Sequence, residues 1–309
     1  MKPDATPKPA AACLMRWLAP LLTALLSACG LILGETPAEA AETQPRAAAR
    51  TEQWVLVASR PLQGSATPTP NWAVGSRWTL RPATLTGPAP LRCEKARQQL
   101  LVTPPQGLFQ GAWQAETEPS AAARATALGL PAQGAATLRL DCANASFDFH
   151  RDARGQLLTA LDGQVLVLRV EPGADDAQAA VRQLLLQHLA SPQGFGPDSP
   201  AQLQAWLDPA LREAFKRWLA RPERPDEVPA LDGDPFSDTQ EPPRALSLGP
   251  ISQRGDSAEQ VVHAELEGGR RHRLVYQLRR DAQTRQWQLQ DIAYSHGPTL
   301  LQLLRSDSR

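Results

Sequence analysis

The densest cluster of chemically capable residues in this 309-residue chain lies in the stretch DGDPFSDTQE, at 232–241. Asp232, Asp234, Asp238 and Glu241 supply carboxylates there, and Ca²⁺ prefers several oxygen ligands from one flexible segment. The stretch lacks, however, the glycine and the glutamate that an EF-hand loop requires at positions six and twelve. Asp-Gly and Asp-Pro are turn-forming pairs, and Asp238 is a suitable cap for a short helix. We therefore predict a turn without a bound metal, and retain the three aspartates as candidate ligand- or partner-binding residues.

A second candidate site rests on the alternation of side chains along two strands. Alternation places Tyr276 with Leu274 on one face of a strand, and Asp291 with Leu289 on one face of the next. If both faces line a concave apolar surface, Tyr276 and Asp291 form a polar pair, and burial raises the pKa of the carboxyl group as a general base requires. In the alternative interpretation, Asp291 accepts hydrogen bonds from a loop and Tyr276 packs with its hydroxyl group at the rim. We favour the alternative, and keep both residues as candidates for ligand binding.

The sequence contains none of the common catalytic motifs. G-x-S-x-G, H-E-x-x-H and the P-loop are absent, and the five histidines show no metal-binding spacing. Several arginines crowd around His272, which we interpret as the solvated face of a strand pair rather than an anion site. We expect neither a cofactor nor a metal ion, and predict that the protein is not an enzyme.

The charge balance argues against a polyanionic partner. Lysine and arginine together number 32, as do aspartate and glutamate, so the formal net charge is zero. A nucleic-acid-binding protein normally carries a basic excess, and we therefore expect no nucleic acid as partner. Hydrophobic residues make up 42% of the chain, which is enough for a packed core.

The four cysteines fall into two groups. Cys13 and Cys29 lie in the apolar N-terminal region, which leaves Cys93 and Cys142 in the remainder of the chain. No C-x-x-C pair is present, so the spacing favours neither zinc nor thioredoxin-like chemistry. If the chain is exported, we expect Cys93 and Cys142 to form one disulfide.

The N-terminal region has the design of a secretory signal peptide, because a positively charged segment precedes an uncharged apolar stretch at 17–34. Within it, the quartet LSAC at 26–29 resembles the bacterial lipobox. This resemblance implies cleavage after residue 28, and thioether lipidation and N-acylation of Cys29. Gly30 follows, rather than an aspartate, which favours the outer membrane over the inner one.

Two other outcomes of export stay open. The sequence AEA at 38–40 forms an A-x-A signal-peptidase site, which would release a soluble periplasmic protein that begins at Ala41. The uncharged stretch at 17–34 could also remain as an anchor, although 18 residues are at the short edge of what spans a bilayer. All three outcomes export the chain.

Composition and periodicity divide the chain into four parts. A signal peptide at 1–28 is followed by the lipidated cysteine and a flexible tether rich in Ala, Pro and Glu at 29–50. Short apolar segments between Gly and Pro predict an all-β domain at 51–171, either a small antiparallel barrel or a sandwich, with the disulfide as a covalent link. Within it, Asp162 and Gly163 suit the positive φ angles of a tight hairpin turn. At 172–309, helical periodicity followed by a strand meander predicts an α+β domain, with helices on a curved antiparallel sheet around a conical cavity.

The last part carries a resemblance. Its element order, the loop DGDPFSDTQ at 232–240 and the ending WQLQDIAYSHGPTLLQLL at 287–304 resemble a family of uncharacterised bacterial envelope proteins, often lipoproteins. These proteins carry a nuclear-transport-factor-2-like domain, and some relatives resemble immunity proteins that neutralise secreted cell-wall amidases. The resemblance implies a fold and an envelope location; the family has no agreed activity.

From these features we predict a non-catalytic lipoprotein that faces the periplasm and is held at a membrane through Cys29. It would bind a protein or an envelope ligand, in one version as an inhibitor or immunity protein. We expect the contact on the concave sheet or on the acidic, proline-rich loop at 222–243. The alternative is a small-molecule-binding protein or an acid–base enzyme that uses the cavity of the C-terminal domain.

Overall fold

The computed structural model describes residues 51–62, 72–88, 91–143, 145–171, 176–222 and 231–306. The predicted signal peptide at 1–28 and the predicted tether with Cys29 lie outside the described residues, as does the part of the proline-rich loop at 223–230. Within the described ranges, no helix is both long enough and apolar enough to cross a membrane.

Thirteen described strands form one open antiparallel sheet, with β13 and β4 at its edges, in the order β13-β12-β11-β10-β5-β6-β7-β8-β9-β1-β2-β3-β4. The strands are β1 (Glu52–Pro61), β2 (Arg77–Arg81), β3 (Thr84–Thr86), β4 (Arg92–Glu94), β5 (Arg97–Thr103), β6 (Ala135–Asp141), β7 (Ser146–Arg151), β8 (Leu157–Leu161), β9 (Gln164–Val170), β10 (Ala245–Arg254), β11 (Ser257–Glu265), β12 (Arg271–Arg280) and β13 (Trp287–Ala293).

Six helical segments accompany the sheet in the described part of the chain. They are α1 (Leu108–Gly111), α2 (Glu118–Ala127), α3 (Ala177–Leu189), α4 (Ser199–Gln202), α5 (Pro209–Leu219) and α6 (Leu300–Ser306). Short 3-10 turns occur at Pro105–Gly107 and Glu267–Gly269. Helix α3 begins at Asp176, whose carboxylate accepts a hydrogen bond from the N–H group of Gln178, and α5 begins in the same way at Asp208.

The local patterns of the sequence are confirmed where turn chemistry or periodicity is strong. Asp162 and Gly163 have φ angles of 48° and 72°, as the tight turn of the β8–β9 hairpin requires. The disulfide between Cys93 and Cys142 is also present, with the two Cα atoms 5.4 Å apart. It links edge strand β4 to the end of β6. These two strands are not neighbours in the sheet, so the disulfide joins them covalently without strand pairing.

The predicted division into two domains near residue 172 is not confirmed. Strand β10 pairs with β5, with Leu246 opposite Leu100 and Ser247 opposite Gln99, so one sheet continues across the expected boundary. One hydrophobic core likewise extends from the first strands to helix α6, and residues 47–309 form a single compact unit. The reason is that β5 keeps a second edge with free backbone groups, which β10 satisfies. An all-β domain and an α+β domain are therefore not separate in the described structure.

A second, smaller core lies elsewhere in the sheet. It is formed by the excursion between β5 and β6, which contains α1 and α2, packed on β8 and β9. Both faces of the central strands are consequently covered, and side chains such as Thr137 and His150 are fully buried.

Candidate functional site

The predicted carboxylate cluster forms a closed loop, here called the aspartate loop (residues 231–240). The carboxylate of Asp234 accepts a hydrogen bond from the N–H group of Phe236 at 2.7 Å and is bonded to Nε2 of His188 at 2.6 Å. Gly233 has a φ angle of 128°, and a Cβ atom there would lie 2.6 Å from the carbonyl oxygen of Thr239, so only glycine fits. Asp234 therefore holds the loop together from within.

The aspartate loop packs into the main hydrophobic core. Phe236 is fully buried, and its ring lies 4.8 Å from that of His188 and 6.2 Å from that of Phe215, measured between centroids. The hydroxyl group of Tyr276 donates to the carbonyl oxygen of Phe236 at 2.5 Å, and that of Tyr294 donates to the preceding carbonyl at 3.0 Å. Burial raises the pKa of both tyrosines above their ordinary value. Tyr276 is thus a buried donor to the loop, and its hydroxyl group is not at the rim.

Tyr276 and Asp291 are not brought together as a catalytic pair. The register places Ile292 opposite Tyr276, because Gln290 is the extra residue of a bulge in β13 that reverses the alternation. The carboxylate of Asp291 instead accepts hydrogen bonds from the N–H groups of Ile292 at 2.8 Å and of Leu301 at 2.9 Å. Asp291 thereby satisfies a free donor in the first turn of α6, a structural role.

The other two aspartates of the loop lie at the surface. Asp232 accepts a hydrogen bond from Gln240 at 2.6 Å, and the carbonyl oxygen of Asp238 accepts one from Nδ1 of His272 at 3.0 Å. Burial raises the pKa of the Asp238 carboxyl group, while nearby His272 lowers it. The predicted turn is confirmed, but Asp238 has a φ angle of 56° and caps no helix. No cluster of three or more candidate metal ligands occurs among the described residues.

Two sets of buried polar residues, here together called the polar seam (Glu52, Gln98 and Arg182; Gln178 and Gln260), were not predicted. Glu52 and Arg182 are both fully buried and form an ion pair through Nε, at 2.9 Å, and through Nη2 of the guanidinium. Arg182 also donates to Gln98 at 2.6 Å, and Gln178 donates to Gln260 at 3.1 Å. The seam joins β1 and β5 to α3 and β11, where the two halves of the sheet share only a short ladder.

No sequence signal connects the members of the polar seam. Glu52 and Arg182 are 130 positions apart. Arg182 stands among mostly apolar residues of α3, whereas Glu52 lies between Thr51 and Gln53. A charged residue inside an apolar segment is the one available indication, since buried charges are paired in folded proteins. That indication does not identify the partner.

A cleft of about 620 Å³ opens beside the polar seam. It lies where β1 and β9, helix α3, the segment before α5 and the β12–β13 hairpin meet. Its volume falls within the range typical of small-molecule sites. The lining residues are Glu52, Val170, Glu171, Ala179, Ala180, Gln183, Ala205, Trp206, Arg280, Thr284, Arg285, Gln286 and Trp287.

The cleft combines an apolar wall with a charged rim. Trp287 is almost fully buried beneath Arg280, whose guanidinium carbon lies 4.7 Å from the ring centroid, and Trp206 is half-buried. On the rim, Arg285 pairs with Asp256 at 3.0 Å, and Glu171 pairs with Arg77. This arrangement suits a ligand that has an apolar body and polar ends.

Comparison of the chain with protein-family models, with curated proteins and with solved structures finds no match. The assignment of a function therefore rests on the residues and their geometry.

Proposed function

We propose that this protein is a non-catalytic component of the bacterial cell envelope that binds a ligand in the cleft. The observation that carries the proposal is the cleft itself, because residues from both halves of the sheet and from α3 line one space of about 620 Å³. Largely preformed sites of this size, mostly apolar with a few polar groups, are typical of ligand-binding proteins. A protein or envelope ligand that presents an apolar group flanked by polar atoms fits the lining.

A binding role is favoured over catalysis because the buried carboxylate of the cleft is already occupied. Glu52 accepts hydrogen bonds from Arg182, from Gln183 at 2.9 Å and from the indole of Trp54 at 3.0 Å. A general base needs a free lone pair within reach of its substrate. Tyr276 and Asp291, the pair that an acid–base enzyme would have used, each serve backbone groups.

We further propose that the residues from 172 onward have a nuclear-transport-factor-2-like arrangement within the shared sheet. Contacts of α3 with β11 and β13, and of α5 and α6 with β13, support a helical layer on the four-stranded meander. In this view the aspartate loop occupies the concave side, and its exposed carboxylates, Asp232 and Asp238, face outward. They are a second surface on which a protein partner could be inhibited or neutralised.

The proposal places the protein at a membrane, facing the periplasm, through a lipid on Cys29. Lipidation requires the thiol of that residue, so Cys29→Ser should move the protein from the membrane fraction to the soluble periplasm. Cys13→Ser is the matched control and should leave it on the membrane. Mass spectrometry of the mature N-terminus should find acylated Cys29; a start at Ala41 would instead make this a soluble periplasmic protein.

Native mass spectrometry of protein purified from the envelope tests the cleft. We expect the wild-type chain to retain a bound species that Ala205→Trp excludes, because residue 205 is exposed and lines the cleft. Ala201→Trp, at an exposed position outside the cleft, is the matched control and should retain it. The proposal is wrong if the Ala205→Trp chain carries the same species as the wild type.

A further inference from the structure

The segment at 106–114 repeats a four-residue pattern, QGLF followed by QGAW and a third glutamine. Each quartet ends in an aromatic residue, and Phe109 and Trp113 are both 3% exposed. Their rings pack edge-to-face with centroids 5.2 Å apart. The repeat therefore anchors the segment through its aromatic residues and leaves Gln106, Gln110 and Gln114 on its outer side.

The backbone between the two aromatic residues is held in an unfavourable conformation. Phe109, Gln110 and Gly111 have φ angles of 55°, 57° and 77°, although a side chain with a Cβ atom disfavours this region. The N–H group of Phe109 donates to Nε2 of His150 at 2.8 Å, and Nδ1 of that ring is bonded to Thr137 at 2.8 Å. Burial lowers the pKa of His150 to about 4, so the ring is neutral and accepts this bond. Strain that is maintained in this way commonly marks a functional position.

The strained turn forms one wall of a groove of about 520 Å³, and strands β6 and β7 form the other. Gln110 reaches across and donates to the carbonyl oxygen of Ser146 at 3.2 Å. The lining consists of two glycines and polar side chains only: Gln106, Gln110, Gln114, Arg139, Asp141, Ser146 and Asp148. The cleft differs, because six of its thirteen lining residues are apolar.

The charged residues of the groove are already paired within the chain. Arg139 forms two hydrogen bonds with Asp148, at 2.8 and 2.9 Å. Asp141 pairs with Arg97 at 3.3 Å and accepts from the hydroxyl group of Ser146 at 2.8 Å. An ionic ligand would have to displace these partners, so the side-chain amides are the groups best placed to bind. Amides both donate and accept hydrogen bonds, which matches the dual character of hydroxyl groups.

We propose that this groove binds an uncharged saccharide chain, whose hydroxyl groups exchange hydrogen bonds with Gln106, Gln110 and Gln114. The site is separate from the cleft and does not depend on the function proposed for it. Glycan strands of the cell wall and neutral surface polysaccharides share this chemistry, and the choice of sugar probe distinguishes them.

Calorimetric titration of the purified full chain with chitotetraose and with maltotetraose tests the proposal. Chitotetraose represents the N-acetylated glycans of the cell wall, and maltotetraose represents neutral hexose chains. We expect at least one to bind, and the double variant Gln106→Ala/Gln114→Ala to weaken its binding at least tenfold through the loss of two hydrogen-bonding groups. Gln204→Ala, at an exposed glutamine outside the groove, should leave the affinity unchanged.

Three results would overturn the proposal: no binding of either sugar at millimolar concentration, equal affinity of the folded double variant, or loss of binding in Ala205→Trp. The last result would place the sugar in the cleft. Circular dichroism of each variant verifies that it is folded.

Discussion

The aspartate loop and the cleft use the same kinds of residue, aromatic rings beside carboxylates, yet the chain closes only one of them. In the loop, Phe236 occupies the apolar space, and the buried hydroxyl group of Tyr276 is bonded to a loop carbonyl. In the cleft, Trp206 and Trp287 border a space of about 620 Å³ instead. Clusters of polar and aromatic residues in a sequence therefore do not by themselves mark a site. The two regions differ in whether a side chain of the same protein already fills the space between the aromatic rings and the carboxylates.

The largest loss of stability should follow from removing the aromatic ring that fills the aspartate loop. Phe236→Ala removes a fully buried ring that contacts His188 and Phe215, and should lower the free energy of unfolding by about 3–5 kcal/mol. Urea unfolding followed by tryptophan fluorescence measures the change. Asp232→Ala, in the same loop but exposed, is the control and should cost less than about 1 kcal/mol. A small effect of Phe236→Ala would mean that the loop is a detachable lid rather than part of the core.

A comparable loss of stability is expected when the buried ion pair beside the cleft is broken. Arg182→Met leaves the carboxylate of Glu52 buried without its charged partner, which should cost about 3–5 kcal/mol. Adding Glu52→Gln should recover part of the loss, because the second change removes the uncompensated charge. Urea unfolding of the two single variants and the double variant provides the cycle. If the two losses simply add, the ion pair does not couple the two halves of the sheet.

How much of this could be predicted from the sequence depends on the range of the interaction. The turn at Asp162 and Gly163, the period of α3 and the pairing of Cys93 with Cys142 all follow from local patterns or elimination, and all are confirmed. The bulge at Gln290 has a local signal that strict alternation overlooks. After Trp287 and Leu289, a charged residue, Asp291, stands at the next position of the expected apolar face, and apolar Ile292 falls on the opposite face.

The long-range contacts are harder to predict from the sequence than the local features. The pairing of β5 with β10 and the contact between Glu52 and Arg182 join residues more than a hundred positions apart, for which one sequence holds no register information. These contacts are the ones that join the two expected domains.

The groove lined by glutamines differs from both regions, because the histidine that supports it, His150, makes the stability of the fold depend on pH. Burial lowers the pKa of His150 from 6.5 to about 4, with Asp148 opposing and Arg139 reinforcing the change. Below pH 6.5 the unfolded chain therefore binds a proton that the folded chain rejects, and stability falls with pH until about pH 4. The shift corresponds to about 3 kcal/mol of stability that is present above pH 6.5 and lost by pH 4.

The variant His150→Gln isolates this contribution. Glutamine keeps an acceptor for the N–H group of Phe109 but does not titrate, so its stability should fall less between pH 7 and pH 4 than that of the wild type. Urea unfolding at pH 7, 5.5 and 4 measures both chains. Parallel pH profiles would show that His150 is not the titrating group.

The smallest loss of stability is expected for Tyr276→Phe, which also tests whether the aspartate loop and the cleft are separate regions. Tyr276→Phe keeps the ring in place but leaves the carbonyl oxygen of Phe236 without its donor, which should cost about 1–3 kcal/mol. Because the hydroxyl group serves the aspartate loop and not the cleft, the species that the wild type carries in native mass spectra should be retained in full. Loss of that species in a folded Tyr276→Phe variant would mean that the ligand space includes the region that the aspartate loop occupies. The closed region and the open one would then be parts of a single site, with the aspartate loop as its movable cover.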